Sequence, residues 1–202
     1  MTEKFKPAEK KRMVALTFDD GPDRIYDEHI LNILNQYNLK ATFFMVGINV
    51  IVYPEVARLI DGEGHAIGCH SYNHPNMASM TKDSAFREQI ERNQAIFHSV
   101  LGKKPAFFRP PYGAITNEQI RYFSEKGIKT VFWTVDAGDW DTENSTPNSI
   151  KNKVIESVHE NAIVLMHSGR TSTLKALPEI VEALQHRGFH FCTIPRLLNI
   201  SE

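Results

Sequence analysis

The residues best suited to chemistry are Asp19 and Asp20, adjacent in Thr17-Phe18-Asp19-Asp20-Gly21-Pro22 at the end of an apolar run, and His70 and His74 some fifty residues further on. Two imidazoles and one carboxylate leave open coordination positions on a divalent ion, which is the arrangement of a catalytic rather than a structural site. Such an ion acidifies water and polarises a carbonyl oxygen. The other carboxylate is then free to accept a proton, a contribution of about 10²- to 10⁴-fold. Zinc is the default ion for these donors, and cobalt, nickel or iron(II) fit them too. The expected class is a metal-assisted hydrolase.

Those side chains must be brought together by the elements between them. Short apolar or β-branched runs at Met13–Thr17, Ala41–Val46, His65–Gly68, Ala106–Phe108, Thr130–Thr134, Ala162–Met166 and Phe189–Cys192 read as strands. Helical patterns lie between them: Asp27–Tyr37, a segment through Val56, Leu59 and Ile60 that ends before Gly62, Thr81–Leu101, Asn117–Lys126, Ser149–His159 and Thr173–His186. Repeated βα alternation predicts an α/β fold, a distorted, TIM-like (β/α) barrel of about seven parallel strands. Asp19-Asp20, His70, Arg109, Asp136 to Asp139 and His167 all fall just after predicted strands. In a parallel barrel those ends meet at one mouth.

Spacing alone is weak support for the histidines. Nine histidines give roughly 0.4 pairs at spacing four by chance. The second such pair, His186 and His190, straddles Gly188 at the expected far end of the barrel and is read as incidental. His70 to His74 instead follows a strand and is closed by Pro75.

Composition excludes other classes. Lys plus Arg (23) balance Asp plus Glu (24), and the longest basic cluster is Lys10-Lys11-Arg12, so no nucleic-acid surface is expected. Cys69 and Cys192 read as buried free thiols rather than a disulfide framework. No membrane span is expected, and Met1 to Met13 is charged rather than carrying an apolar signal core.

Thr17-Phe18-Asp19-Asp20-Gly21-Pro22, His70-Ser71-x-x-His74, Arg109-Pro110-Pro111-Tyr112-Gly113, Asp136-x-x-Asp139-Trp140 and Leu165-x-His167 resemble, in order, the five motifs of the polysaccharide deacetylases. These are the NodB-homology domains of carbohydrate esterase family four. The resemblance implies one such domain over residues 1–202, with residues 1–12 a polar N-terminal arm. It implies Asp19 as general base and Asp20, His70 and His74 as metal ligands. It further implies that Arg109 orients Asp19, that the Tyr112 backbone N–H meets the developing oxyanion, and that His167, held cationic by Asp139, protonates the departing amine. Tyr112, Trp140 and Leu165 would touch substrate, the last two walling the acetyl pocket. Ser168 stands where many relatives carry Asp, a change expected to alter that wall.

The implied activity is deacetylation of N-acetylglucosamine units in peptidoglycan or chitin-type glycans. The alternatives are an O-acetyl xylan esterase and a non-catalytic glycan-binding module; the latter should lack base, arginine or acid, and all three are present here. The implied partner is an N-acetylated glycan polymer or oligomer, met by a monomer. Cell-wall substrates imply an extracellular or cell-wall location, with a cytoplasmic one kept open.

Overall fold

The computed structural model describes residues 12–200. The expected N-terminal arm falls on residues outside that range, except Arg12, which instead opens the first strand. The elements run β1 (Arg12–Asp19), α1 (Tyr26–Gln36), β2 (Thr42–Met45), α2 (Gly47–Val52), α3 (Pro54–Gly62), β3 (Ala66–Cys69), α4 (Lys82–Ser84) and α5 (Arg92–Leu101). They continue with β4 (Phe107–Phe108), α6 (Asn117–Glu125), β5 (Lys129–Thr130), β6 (Val135–Asp136), α7 (Pro147–Ser157), β7 (Ala162–His167), α8 (Thr171–His186), β8 (Phe189–Phe191) and α9 (Ile194–Leu198).

Every strand pairing is parallel. Seven strands follow one curved path, β5-β4-β3-β2-β1-β7-β6, and β8 pairs with the start of β1. The expected strand Thr130–Thr134 is not one strand. The chain leaves β4 after the Val131 N–H meets the Phe108 carbonyl, and it reaches β7 where the Thr134 N–H meets the Ile163 carbonyl. A β-branched run cannot distinguish a strand that stays beside one neighbour from a segment that crosses between two. The two ends of the path are therefore joined by residues 131–134 and by no ladder among the described residues.

Period-two alternation sorts β1 into two environments. Val14, Leu16 and Phe18 pack outward beneath the helices with Ile30, Leu34, Ile180 and Leu184. Ala15 belongs to the inner cluster with Phe44, Phe107, Val131 and Ile163. Strands buried on both faces read as nearly unbroken apolar runs, which is why they stood out in the sequence. The interior is crowded: a Cβ on Gly68 would lie 2.6 Å from the rings of both Phe44 and Phe107. Toward the mouth the inner face of β1 changes to Thr17 and then Asp19.

Two further elements position the site. In α2 the Asn49 amide donates to the Asp20 carbonyl at 2.7 Å. The long helix over 82–101 is regular only at its ends, because Ala85–Glu91 between α4 and α5 is π-helical.

Candidate metal centre and active site

Asp19 is the last residue of β1 and sits in register with His167, the last residue of β7. Asp20 follows at φ 74°. This left-handed turn directs its carboxylate to a loop after β3 in which Ser71 and His74 also have positive φ, 64° and 61°. Such backbone is uncommon for non-glycine residues and clusters at functional sites. The turn is held on all sides. The Gly47 and Ile48 N–H groups donate to the Ser71 and Tyr72 carbonyls. Buried Gln89 accepts the Tyr72 and Asn73 N–H groups, and Asn93 donates to the Ser71 carbonyl.

Asp20 Oδ1 lies 3.1 Å from His74 Nε2 and 3.5 Å from His70 Nε2. One ligand atom from each of the three residues falls within 4.8 Å of the others. That oxygen is buried and meets neither imidazole in hydrogen-bonding geometry. The other ring nitrogens are engaged: His70 Nδ1 with the Arg109 carbonyl at 2.8 Å, and His74 Nδ1 with the Tyr112 hydroxyl at 3.2 Å. Imidazoles oriented through Nδ1 present Nε2 to an ion. Burial opposes the Asp20 charge, but the two imidazoles outweigh it and hold the carboxyl well below the usual range. The donor set fits a divalent ion.

Arg109 is wholly buried beneath this cluster. One guanidinium nitrogen donates to both Asp19 Oδ1 and Thr17 Oγ1 at 2.7 Å, and another reaches the Phe132 carbonyl at 3.3 Å. Its Cζ lies 4.0 Å from the Phe44 ring centre. Burial lowers its pKa from the ordinary value while Asp19 opposes the change.

On the far side, Asp139 Oδ1 meets His167 Nδ1 at 2.7 Å. Its Oδ2 accepts the His167 N–H at 2.8 Å and the Thr173 hydroxyl at 2.6 Å. Burial pulls His167 down, but the hydrogen bond and charge of Asp139, with Asp19 and Asp20 adding, raise it above its ordinary value. Asp136 holds its own loop, accepting from the Gly138 N–H and from the Trp140 indole.

These groups open into one cavity of about 640 Å³, lined by Asp19, Asp20, His70, His74, Pro110, Tyr112, Trp133, Asp136, Trp140, Leu165, His167 and Arg170. Sequence reasoning found all but Pro110, Trp133 and Arg170 as individual residues. Trp133 lies in the misread crossing, and Arg170 had no motif to mark it. The expectation that Ser168 shapes the wall meets a different geometry: Ser168 is buried behind it, against Asp27. His186 and His190 lie away from the mouth, His190 on β8 beside the start of β1. Cys69 and Cys192 are buried and free. No helix among the described residues is long and apolar enough to cross a membrane.

A parallel α/β half-barrel with an Asp-His-His cluster, an Arg-paired carboxylate and an Asp-paired histidine at its mouth defines a class of metal-binding sites, and comparisons give that class a family. The polysaccharide deacetylase family model matches residues 6–131. A peptidoglycan-N-acetylglucosamine deacetylase of Bacillus cereus is 38% identical over 196 residues, covering 95% of this chain and 70% of the relative. A chitooligosaccharide deacetylase of a Bradyrhizobium strain is 32% identical over 200 residues, 92% of this chain and 90% of the relative. The crystal structure of the Bc1960 peptidoglycan N-acetylglucosamine deacetylase, bound to an N-oxidanyl-benzamide, superposes with a TM-score of 0.90 at 37% identity, over 96% of this chain and 91% of that one. The chain belongs to the polysaccharide deacetylase family.

Proposed function

We propose that this chain removes acetyl groups from N-acetylglucosamine units of peptidoglycan or chitin-type glycans, using one divalent ion, by preference zinc, held by Asp20, His70 and His74. The observation that carries the reading is the convergence on one cavity of that cluster, the Arg109-paired Asp19 and the Asp139-paired His167. Names of relatives that act on both glycan types support the substrate class.

An ion held there would supply a Lewis acid and an acidified water. Asp19 has one oxygen engaged by Arg109, and the other receives the proton of the attacking water. The Tyr112 backbone N–H meets the negative charge that develops on the acetyl oxygen. His167, kept protonated by Asp139, passes its proton to the sugar nitrogen, without which an amide leaves poorly. Leu165 and Trp140 bound the space for the methyl group. Trp140 and Tyr112 are 57% and 72% exposed, suiting them to a polymer lying across an open mouth. Work on such a polymer calls for an extracellular or cell-wall location, and the site, complete within one chain, suits a monomer.

The test is acetate release from N-acetylated chitooligosaccharides and from cell-wall glycan by purified protein with added Zn²⁺ or Co²⁺. Release from either substrate is expected, and inactivity on both overturns the reading.

A further inference from the structure

Beneath the turn that follows Asp20 lies a buried carboxylate that none of these steps uses. Asp27, in the first turn of α1, is 0% exposed. Its Oδ2 accepts the Asp23 N–H at 2.8 Å, and its Oδ1 accepts the Ser168 hydroxyl at 2.5 Å. The Ser168 N–H donates in turn to the Asp19 carbonyl at 2.9 Å. The turn rests directly on the pair, since a Cβ on Gly21 would lie 2.5 Å from Asp27 Oδ2 and 3.0 Å from Ser168 Oγ.

The place of this contact matters more than its strength. Asp19 and His167 form the last shared register position of β1 and β7. Beyond it the two chains turn apart, one at Asp20 with φ 74° and the other at Gly169 with φ 80°. The bond from Ser168 to Asp27 is a tie across that divergence. Asp139 grips His167 from the opposite side and fixes the orientation of the imidazole. It comes from the loop after β6 and also accepts the His167 N–H at 2.8 Å, whereas the Asp27 tie comes from the β1 side.

We propose that Asp27 is a positioning residue which, through Ser168, locks the turn carrying the general acid His167 against the turn carrying Asp19 and Asp20. This rests on the deacetylase reading. Retention of the carboxylate has a thermodynamic consequence that favours a functional role. Burial, with Asp23 nearby and despite the Ser168 and Asp23 hydrogen bonds, pushes Asp27 up to about 6. An ionised group in that place opposes folding at neutral pH.

The test compares zinc-loaded wild type, Asp27→Ala, Asp27→Asn and Ser168→Ala on two substrates. One is an N-acetylated chitooligosaccharide, whose nitrogen must be protonated to leave. The other is 4-nitrophenyl acetate, whose phenolate departs unprotonated. Displacing a catalytic group by ~1 Å can cost about 10²-fold, so Asp27→Ala and Ser168→Ala should lower kcat on the amide by about 10- to 100-fold, with KM nearly constant. Rates on the ester should fall by less than about threefold, because acid catalysis is not needed there. Asparagine can accept from the Asp23 N–H and donate to Ser168, so Asp27→Asn should recover most of the amide rate at an equal or higher thermal midpoint. Equal losses on both substrates, an unchanged amide kcat, or an asparagine variant as slow as alanine overturns the proposal. Should Asp27→Ala fail to fold, Ser168→Ala and Asp27→Asn carry the same comparison. Wild type inactive on N-acetylated glycans overturns the deacetylase reading and this inference with it; active wild type with unaffected variants overturns the inference alone.

Discussion

At the scale of single residues, the two aspartates of the doublet differ in what holds them. Asp19 is fastened from behind by a buried guanidinium, while Asp20 turns outward to two imidazoles. Under the proposed mechanism, Asp19→Asn keeps the metal and loses about 10²- to 10⁴-fold in kcat, whereas His74→Ala loses the metal. Metal analysis of both variants separates the roles, and equal loss in the two refutes the assignment. Arg109 is a different case. Removing one partner of a buried ion pair strands the other charge and costs about 3–5 kcal/mol, so its replacement should fail in folding before it fails in chemistry. For His167 the sign of the pKa change fixes a pH dependence. The proposed acid works only when protonated, so activity declines as pH rises through its raised pKa. Asp139→Asn removes the principal support, and the alkaline limb of kcat/KM should move acidward. An unmoved limb would show that another group governs it.

At the scale of elements, the π-helical stretch Ala85–Glu91 brings Gln89 under the histidine loop, where it accepts two successive N–H groups. Gln89→Leu keeps the bulk and removes the acceptor. If support behind the ligands acts here as at other metal sites, zinc affinity should fall about 10- to 100-fold. Competition with a chelating dye measures this, and unchanged affinity would assign Gln89 to the fold alone. None of this was visible beforehand, because Phe86, Ile90, Ile96, Phe97 and Val100 make the same stripe whether the turn between them is α or π. Helix α2 was hidden for a related reason: Gly47-Ile48-Asn49-Val50-Ile51-Val52 is rich in β-branched residues, and tertiary contacts override that preference. The strand ends were far more legible. Polar residues interrupting apolar runs marked the mouth at Asp19, His70, Arg109 and His167. The left-handed backbone at Asp20, Ser71, His74 and Tyr112 has no glycine to announce it.

For the whole molecule, two buried titrating groups pull stability in opposite directions with pH. Asp27 is raised from 3.8 to about 6, so its contribution is greatest below 3.8 and is lost as pH rises through 6. His65 is lowered from 6.5 to about 4, first by burial and then by Lys40, against Glu63. Its contribution is complete above 6.5 and is lost as pH falls through 4. Between these limits the two offset each other. Asp27→Asn leaves His65 unopposed, so the variant should gain on wild type as pH rises from 4 to 7, by on the order of 2–3 kcal/mol. Urea unfolding at several pH values measures the difference, and a constant offset would contradict it. The barrel itself was readable from the alternation of short apolar runs with helical stripes, but not the way it ends. A cylinder fastened along one line by four residues of chain can dilate there without unzipping a ladder. Trp133, on the cavity wall, and Phe132, whose carbonyl rests on Arg109, occupy that line. A bulky glycan could thus push one side outward while the laminated β3-β2-β1-β7 arc stays still. The amides of Phe132 and Trp133 should accordingly exchange with deuterium ahead of those in β7, and equal protection would mean that the cylinder is stiff all round.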